Sequence, residues 1–558
     1  MPHFRRFTVV TALAALALAN PVVAADDDGE DSASAHIEQA QIYLKADEYL
    51  KAVHEYVRAA EISDDPEVAR MATRMAFGFG FNTEGLTAAR RWSALDEGSE
   101  EALVYTAQLE LREGDLKAAR RDFEMLLEKG RQPPDEALLS LLPVFADENP
   151  EYVDKLMRML AKPYPDSASA HYAVGATSLQ AGDYENAKKE AQRASELEPD
   201  WIKAKLLYGR ALLLSGHSDK AIDYTARIIG DDPDPDPDAR MELALMYMSA
   251  GRDEDALSQV NQILLEQSSR TDALRLMAII DFRLNNLDAA EEDFQDLLQS
   301  GHYTMDAVYY LARIADFRGE NEKAIELYSE VDDGQNAVMA QRRASALLAF
   351  DSDKPDLALE RLDKFASDHP QFAIDMVVAR AQLLTSLERY DEALADYDRA
   401  VNYRPDDESV ALGRAELLLR MGRLDDALDS YRTATKRWPH SALSLNALGY
   451  TLADRTDDYR EAEKLIRKAL DIEPDSPAII DSYGWVLYKR GHPEKALEQL
   501  KLAYDKFPDP EVAAHLVEVL ASMDRKDEAL QLLSTAEQKN PDSEFLKGVR
   551  ERFFADAP

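Results

Sequence analysis

The chain repeats a pattern of small residues and prolines at a spacing of 34 residues over most of its length. Residues 173–200 and 207–234 align without a gap. In this alignment the matching residues are Gly175 and Gly209, Gly182 and Gly216, Ala187 and Ala221, and Pro199 and Pro233. A fixed period of this length indicates a repeat array, in which each unit packs on its neighbours. We therefore expect stacked copies of one unit.

The frame continues from Ala33 to Asn540, which corresponds to roughly fourteen or fifteen units. A proline near the end of each unit would stop a helix, because it lacks an amide donor and clashes with the preceding turn. In "IDSYGWVLYKRG" (480–491), Gly484 lies inside a helical pattern, where glycine costs about 1 kcal/mol relative to alanine. We expect close packing of another helix, rather than a ligand, to offset this cost.

This pattern resembles the tetratricopeptide repeat (TPR), a helix–turn–helix unit of the same period. The resemblance implies an all-α fold, a right-handed solenoid of such units closed by a C-terminal capping helix. The sequence then divides into a signal peptide (1–24), an acidic disordered leader (25–34), divergent N-terminal repeats (35–165), a regular array (166–541) and a capping helix with tail (542–558).

The N-terminus has the three parts of a secretory signal. A basic start, "MPHFRRF", precedes an apolar run, "TVVTALAALALA", and small residues before an acidic stretch predict cleavage after Ala24. The apolar run is too short to span a bilayer comfortably, so we expect no transmembrane segment in the mature chain. The signal predicts the periplasm. The chain has no cysteine, so lipid anchoring through a lipobox is not supported, and disulfides and thiolate zinc sites are excluded.

The charge of the chain limits its partners. There are 106 acidic and 65 basic residues, a net charge of −41. Nucleic acid and anionic membrane surfaces would be repelled by this charge. The balance favours a protein that contacts neutral or basic protein surfaces.

Motifs for catalysis or cofactor binding do not occur. The sequence contains no HExxH, GxSxG, Walker A or GxGxxG pattern, and we expect most histidines to be solvated near turns or on helix surfaces. The segment "DDPDPDPDAR" (231–240) superficially resembles a calcium loop, but it lacks the turn glycine and the terminal glutamate of such loops, which favours a plain spacer. We predict no enzyme activity, cofactor, metal or small-molecule substrate.

The TPR resemblance also implies which positions of each first helix face a binding groove. The candidate residues are Asn446, Tyr450, Asp481, Trp485, Tyr488 and Lys489 in two adjacent units, with Leu412, Arg420, Tyr309, Arg313, Phe317, Arg275, Phe282 and Arg283 in preceding units. Aromatic and arginine side chains often anchor interfaces, so this groove would suit a peptide or a partner's helix. The alternative is that Trp485 and Tyr450 pack against the neighbouring repeat.

Residues 445–520 carry a closer resemblance. "LNALGYTLADRTDDYREAEKLIRKALDIEPDSPAIIDSYGWVLYKRG" and "FPDPEVAAHLVEVL" are similar to the C-terminal half of proteobacterial TPR lipoprotein adaptors. Those adaptors bind and activate a periplasmic carboxyl-terminal processing protease. The resemblance implies that protease and its cell-wall hydrolase substrates as partners. The alternative is an assembly scaffold in an envelope complex, such as exopolysaccharide export or outer-membrane assembly.

Overall fold

The computed structural model describes residues 32–45, 48–230 and 235–555. The chain forms two compact units, Met1–Tyr303 and Thr304–Pro558. The predicted signal peptide (1–24), residues 25–31 of the predicted leader (25–34) and residues 231–234 of the aspartate-rich spacer, Pro233 among them, lie outside the described residues. The last two residues of the predicted leader, 33 and 34, are helical rather than disordered.

The first unit contains sixteen described α-helices, which follow one another along the chain as eight pairs. They are α1 (Ala33–Lys45), α2 (Tyr49–Ile62), α3 (Pro66–Phe79), α4 (Asn82–Leu95), α5 (Glu100–Arg112), α6 (Leu116–Lys129), α7 (Pro134–Leu141), α8 (Pro150–Ala161), α9 (Ala168–Gln180), α10 (Tyr184–Leu197), α11 (Ile202–Leu214), α12 (Ser218–Gly230), α13 (Pro237–Ser249), α14 (Asp253–Glu266), α15 (Thr271–Arg283) and α16 (Leu287–Ser300).

The second unit contains fifteen described α-helices, seven pairs and a final single helix. They are α17 (Thr304–Phe317), α18 (Asn321–Glu330), α19 (Ala337–Ala346), α20 (Pro355–Asp368), α21 (Ala373–Ser386), α22 (Tyr390–Tyr403), α23 (Glu408–Arg420), α24 (Leu424–Arg437), α25 (Ala442–Arg455), α26 (Tyr459–Ile472), α27 (Pro477–Lys489), α28 (Pro493–Lys506), α29 (Pro510–Ser522), α30 (Lys526–Lys539) and α31 (Glu544–Phe553). The described residues form no β-strand. The predicted all-α fold of paired helices is confirmed, and the fifteen pairs match the predicted number of units.

The repeated prolines act as the sequence predicts. Helices α10, α22, α24 and α28 each end two residues before a proline. These prolines are Pro199, Pro405, Pro439 and Pro508. Several helix starts are fixed by side chains that accept a hydrogen bond from an amide of the first turn. Asp183 accepts from the Asn186 amide at 3.1 Å, and Ser441 accepts from the Ser444 amide at 3.2 Å.

The turn inside most pairs requires one residue in the left-handed region. Gly491 between α27 and α28 has φ of 81°, a conformation that costs glycine little. Four turns inside pairs reach the same region without glycine, at Asn285, Asp353, Glu388 and Asp524, with φ between 52° and 64°. The turn therefore keeps its left-handed backbone conformation even in units that lack the glycine.

Small residues lie where paired helices approach most closely. One alanine in each of many second helices has no exposed surface, namely Ala119, Ala187, Ala221, Ala256, Ala290, Ala324, Ala358, Ala393, Ala427, Ala462, Ala496 and Ala529. A Cβ atom placed on Gly484 would lie 2.7 Å from Leu500 Cγ and 3.2 Å from the Leu500 backbone nitrogen. A Cβ atom on Gly449 would lie 2.6 Å from an Ile466 side-chain carbon. The packing explanation for Gly484 is confirmed.

Two segments depart from the regular pair. In the poorly matched stretch before residue 165, α7 is only eight residues long and turns separate it from α8. Near the loose unit around Ala358, the end of α19 continues as a π-helix, Leu347–Asp351. A π-helix accommodates an extra residue within a helix. In the second segment α19 and α20 still pack together, whereas in the first segment α7 packs mainly on α9 rather than on α8.

The last described helix, α31, packs on the pair before it. Leu546 and Val549 are each 1% exposed and belong to the same apolar cluster as Leu516 and Leu533. This helix therefore covers apolar side chains that the last pair would otherwise expose to water. The predicted capping helix is confirmed. None of the helices in the described ranges combines the length and the apolarity needed to cross a membrane.

The glycine contacts give a direct stability test. We expect Gly484→Ala to destabilise the second unit by about 1–3 kcal/mol, because the added methyl group meets the Leu500 backbone as well as its side chain. Gly548→Ala is the control, since nothing lies within 4 Å of the point that its added Cβ atom would occupy. That change should stabilise α31 by about 1 kcal/mol through helix propensity. Urea unfolding followed by circular dichroism measures both, and a Gly484→Ala protein as stable as the parent would contradict the packing account.

Candidate functional site

A groove of about 830 Å³ lies within the second unit. It is lined by the first helices of four successive pairs, α23, α25, α27 and α29, and by the last described helix, α31. The lining residues are Glu416, Leu419, Arg420, Tyr431, Ala447, Tyr450, Thr451, Asp454, Arg455, Trp485, Lys489, Glu511, Ala514, His515, Glu518, Glu544, Phe545, Gly548, Val549 and Arg552. Only Tyr431 comes from a second helix. The helix–turn–helix repeat therefore places side chains from different units around one cavity.

An aromatic pair forms part of the groove wall. The rings of Trp485 and His515 stack with centroids 4.1 Å apart and planes 20° apart. Trp485 is 4% exposed, and its Nε1 donates a hydrogen bond to Asp454 at 3.3 Å. The Lys489 ammonium lies 4.5 Å from the centroid of the Trp485 ring, within cation–π range. Trp485 is thus both packed against the neighbouring repeat and part of the groove wall.

His515 is buried and paired with a carboxylate. Its Nδ1 lies 3.0 and 3.1 Å from the two oxygens of Asp481. Burial opposes the imidazolium form, but the nearby carboxylates of Asp481, Glu511 and Asp454 outweigh burial and raise the pKa of His515 above its ordinary value. The groove wall therefore contains an ion pair that joins α27 to α29.

Tyr450 and Glu511 form a second polar contact across repeats. The Tyr450 hydroxyl donates to Glu511 Oε1 at 2.6 Å, joining α25 to α29. Burial, followed by the proximity of the Glu511 carboxylate, raises the pKa of Tyr450. Burial also raises the pKa of Glu511, although the Tyr450 hydrogen bond and His515 act in the opposite direction. The tyrosine remains a hydrogen-bond donor at neutral pH.

The rim of the groove is charged and partly apolar. Three arginines on the rim form ion pairs with adjacent carboxylates: Arg420 with Glu416 at 2.9 Å, Arg455 with Asp454 at 2.8 Å, and Arg552 with Glu518 at 3.0 Å. Phe545 on α31 is 52% exposed and offers an apolar ring at the edge. Such a mixture of aromatic and charged side chains suits polypeptide recognition.

The structure brings four of the predicted groove residues to this cavity, namely Arg420, Tyr450, Trp485 and Lys489. Asp481 lies beneath the wall, 6% exposed, and holds His515. Leu412 and Tyr488 are half-buried and pack on apolar clusters of the second unit. Asn446 is half-buried and does not line the cavity. Whether any of these residues binds a partner stays a prediction.

The other six predicted residues do not line this cavity. Tyr309, Arg313 and Phe317 are on α17 of the second unit, and Phe317 is 68% exposed. Arg275, Phe282 and Arg283 are on α15 of the first unit. Arg283 is engaged locally, because it donates to Asp253 Oδ2 at 3.1 Å and to the Met248 carbonyl at 3.0 Å. The cavity therefore does not contain all fourteen predicted residues.

Sequence reasoning missed the contribution of α29 and α31. The expectation that histidines are solvated is wrong for His515, which is 7% exposed. A signal was present, because Asp481 and His515 are 34 residues apart, one full period. Residues one period apart occupy equivalent positions in adjacent units, so such a pair is well placed for contact. The approach of α31, with Phe545 and Arg552, depends on tertiary packing and had no comparable signal.

Metal binding has no structural support in the described ranges. No group of three or more histidine, aspartate or glutamate side chains there is arranged to hold a metal ion. The partly described spacer that resembles a calcium loop includes Asp232, which lies outside the described residues.

The raised pKa of His515 predicts a pH dependence. A histidine whose pKa is higher in the folded state contributes stability that is fully present below the ordinary value of 6.5 and is lost as pH rises through the folded pKa. We expect the unfolding free energy of the second unit to fall above pH 6.5 for this reason. NMR titration of ¹³C-labelled histidine, assigned with His515→Gln, should give a midpoint above 6.5 that decreases in Asp481→Asn. A midpoint at or below 6.5 in the parent would contradict the ion pair.

Comparison with known proteins supports the repeat assignment. Two family models described as tetratricopeptide repeat match this chain, one over residues 275–337, 343–409 and 412–477 and the other over residues 178–237 and 455–514. Together the matches cover slightly more than half of the chain.

Relatives share part of the sequence. A TPR repeat-containing protein of Pseudomonas aeruginosa is 34% identical over 215 residues, which are 38% of this chain and 36% of that protein. Lipopolysaccharide assembly protein B of Escherichia coli is 27% identical over 224 residues, 38% of this chain and 55% of that protein. The chain therefore spans about a third to a half of the length of the curated relatives it matches.

Two solved structures superpose on this chain with low TM-scores. A thermophilic TPR protein of Thermus thermophilus has 26% identity and a TM-score of 0.30, covering 33% of this chain and 97% of that one. Yeast Tom70 has 16% identity and a TM-score of 0.29, covering 93% of this chain and 96% of that one. The repeat period, the consecutive helix pairs and the matching family models together show that the chain belongs to the tetratricopeptide repeat proteins.

Proposed function

We propose that this protein is a non-enzymatic periplasmic adaptor that holds envelope proteins beside a carboxyl-terminal processing protease. A protein-binding scaffold is the role that the TPR family supports. The observation that carries the proposal is the groove of the second unit, which combines Trp485, Tyr450 and Phe545 with a charged rim. The signal peptide pattern of residues 1–24 supports the periplasmic location.

The groove has the form expected for a polypeptide ligand. Its lining comes from first helices of several units, so successive residues of an extended segment would meet different helices. The exposed ring of Phe545 provides apolar surface for a partner to bury, while the ion pairs of the rim limit nonspecific association.

The adaptor would act through effective concentration. Two proteins bound to one chain encounter each other far more often than two free proteins, and no new catalytic group is needed. The similarity of residues 445–520 to adaptors of processing proteases supports the protease as one of the two partners. Cell-wall hydrolases would then be the delivered substrates.

Reconstitution tests this proposal. The chain beginning at Ala25, the processing protease of the same organism and a cell-wall hydrolase are mixed, and degradation of the hydrolase is followed by gel densitometry. We expect faster degradation with the adaptor present, and Phe545→Ala should weaken the effect about tenfold, because an interface aromatic is worth roughly 1–2 kcal/mol.

Phe507→Ala is the matched control. Phe507 is also exposed, at 59%, but it lies outside the groove, just after α28. This variant should retain the full stimulation. Equal stimulation by both variants would remove the groove from the mechanism, and an absence of stimulation by the parent chain would contradict the protease adaptor itself.

A second candidate is an assembly scaffold in an envelope complex. The similarity to lipopolysaccharide assembly protein B favours this alternative. Deletion of the gene separates the two candidates. An adaptor predicts that cell-wall hydrolases accumulate while lipopolysaccharide stays normal, whereas an assembly scaffold predicts altered lipopolysaccharide or export with normal hydrolase levels.

A further inference from the structure

Glu511 differs from the other carboxylates of the groove. Among the described residues, no lysine, arginine or histidine lies within ion-pair distance of it. The other groove carboxylates each have a basic partner: Glu416 with Arg420, Asp454 with Arg455, Glu518 with Arg552, and Glu544 with Lys547. The nearby His515 forms its ion pair with Asp481, and its charge acts on Glu511 only beyond ion-pair distance. Glu511 is thus a half-buried carboxylate whose one side-chain hydrogen bond comes from the Tyr450 hydroxyl.

Burial raises the pKa of Glu511, whereas its place at the start of a helix favours the ionised form. It is the second residue of α29, where the helix dipole stabilises a negative charge. A partly desolvated carboxylate without a cationic partner is nevertheless costly, and a cation supplied by a ligand would recover that free energy. Among the described residues Glu511 therefore forms no direct ion pair, and a ligand cation would supply one.

We propose that the groove binds an extended segment of a partner protein through a lysine or arginine side chain, whose cation pairs with Glu511 beside the rings of Tyr450 and Trp485. This inference rests on the proposed function, in which the groove is a protein-docking surface. The segment would place apolar neighbours of that side chain against Phe545.

Charge complementarity favours a basic segment over an acidic one. The three rim arginines are already paired, so an acidic segment would find only Lys489 among the rim cations without a carboxylate partner. The net charge of −41 adds long-range attraction for basic partners.

Peptide binding tests this inference. The probes are three fluorescein-labelled nine-residue peptides, identical except for a central lysine, norleucine or glutamate flanked by leucines. Anisotropy titrations use the chain beginning at Ala25 at pH 7.5. We expect the lysine peptide to bind at least about tenfold more tightly than the norleucine peptide, and the glutamate peptide to bind most weakly.

Two variants assign the effect to one carboxylate. Glu511→Gln keeps an acceptor for Tyr450 but removes the charge, so it should abolish the preference for lysine over norleucine. Glu494→Gln is the matched control, because Glu494 also follows a proline at the second position of a helix, α28, and lies outside the groove. This control should keep the full preference.

Each contrary outcome is informative. Equal binding of the lysine and norleucine peptides, no binding of any peptide up to about 1 mM, or a lysine preference that survives Glu511→Gln would overturn the inference. Stimulation of the protease is measured on the same protein preparations. Normal stimulation with no lysine preference overturns only the basic-segment inference, whereas loss of the Phe545→Ala effect removes the groove as a docking surface altogether.

Discussion

Close contact between helices at small residues is the constraint on which the structure depends. The buried alanines of the second helices and glycines such as Gly449 and Gly484 leave no room for a larger side chain. Interiors are packed to crystal-like density, so these contacts fix the separation and rotation of each helix pair. The rotation in turn decides which residues of each first helix face the groove. A glycine in α27 therefore affects the shape of the groove although it does not line the cavity.

The polar contacts behind the groove depend on the same packing. His515 with Asp481 and Tyr450 with Glu511 each connect first helices of different units. Both contacts are buried or half-buried, so each acts in a low-dielectric environment in which geometry determines whether the charges are stabilised. They converge on α29, which α31 covers. The groove is thus a property of several units together, and its wall combines structural ion pairs with one carboxylate that has no basic partner in the described part of the chain.

The fold was largely predictable because the repeat is a local pattern. The repeat period predicted where helices occur, and the prolines predicted where second helices end. Packing against another helix was the correct explanation for Gly484. The groove was only partly predictable. Trp485, Tyr450, Lys489 and Arg420 follow from positions within one unit, whereas Phe545 and Glu511 enter through the contact of α29 and α31 with preceding helices. Irregular features, such as the π-helix Leu347–Asp351, follow from local packing that the pattern does not encode.

The central claim is that the groove of the second unit is the protein-docking surface. Hydrogen–deuterium exchange of the chain, alone and with the processing protease, tests it most directly. The account predicts slower exchange on binding in the C-terminal half of α25, in the last turns of α27, in the first turns of α29 and in α31, with little change in the second helices α24, α26 and α28. Slowing confined to the first unit or to those second helices would contradict the account, as would an absence of any change.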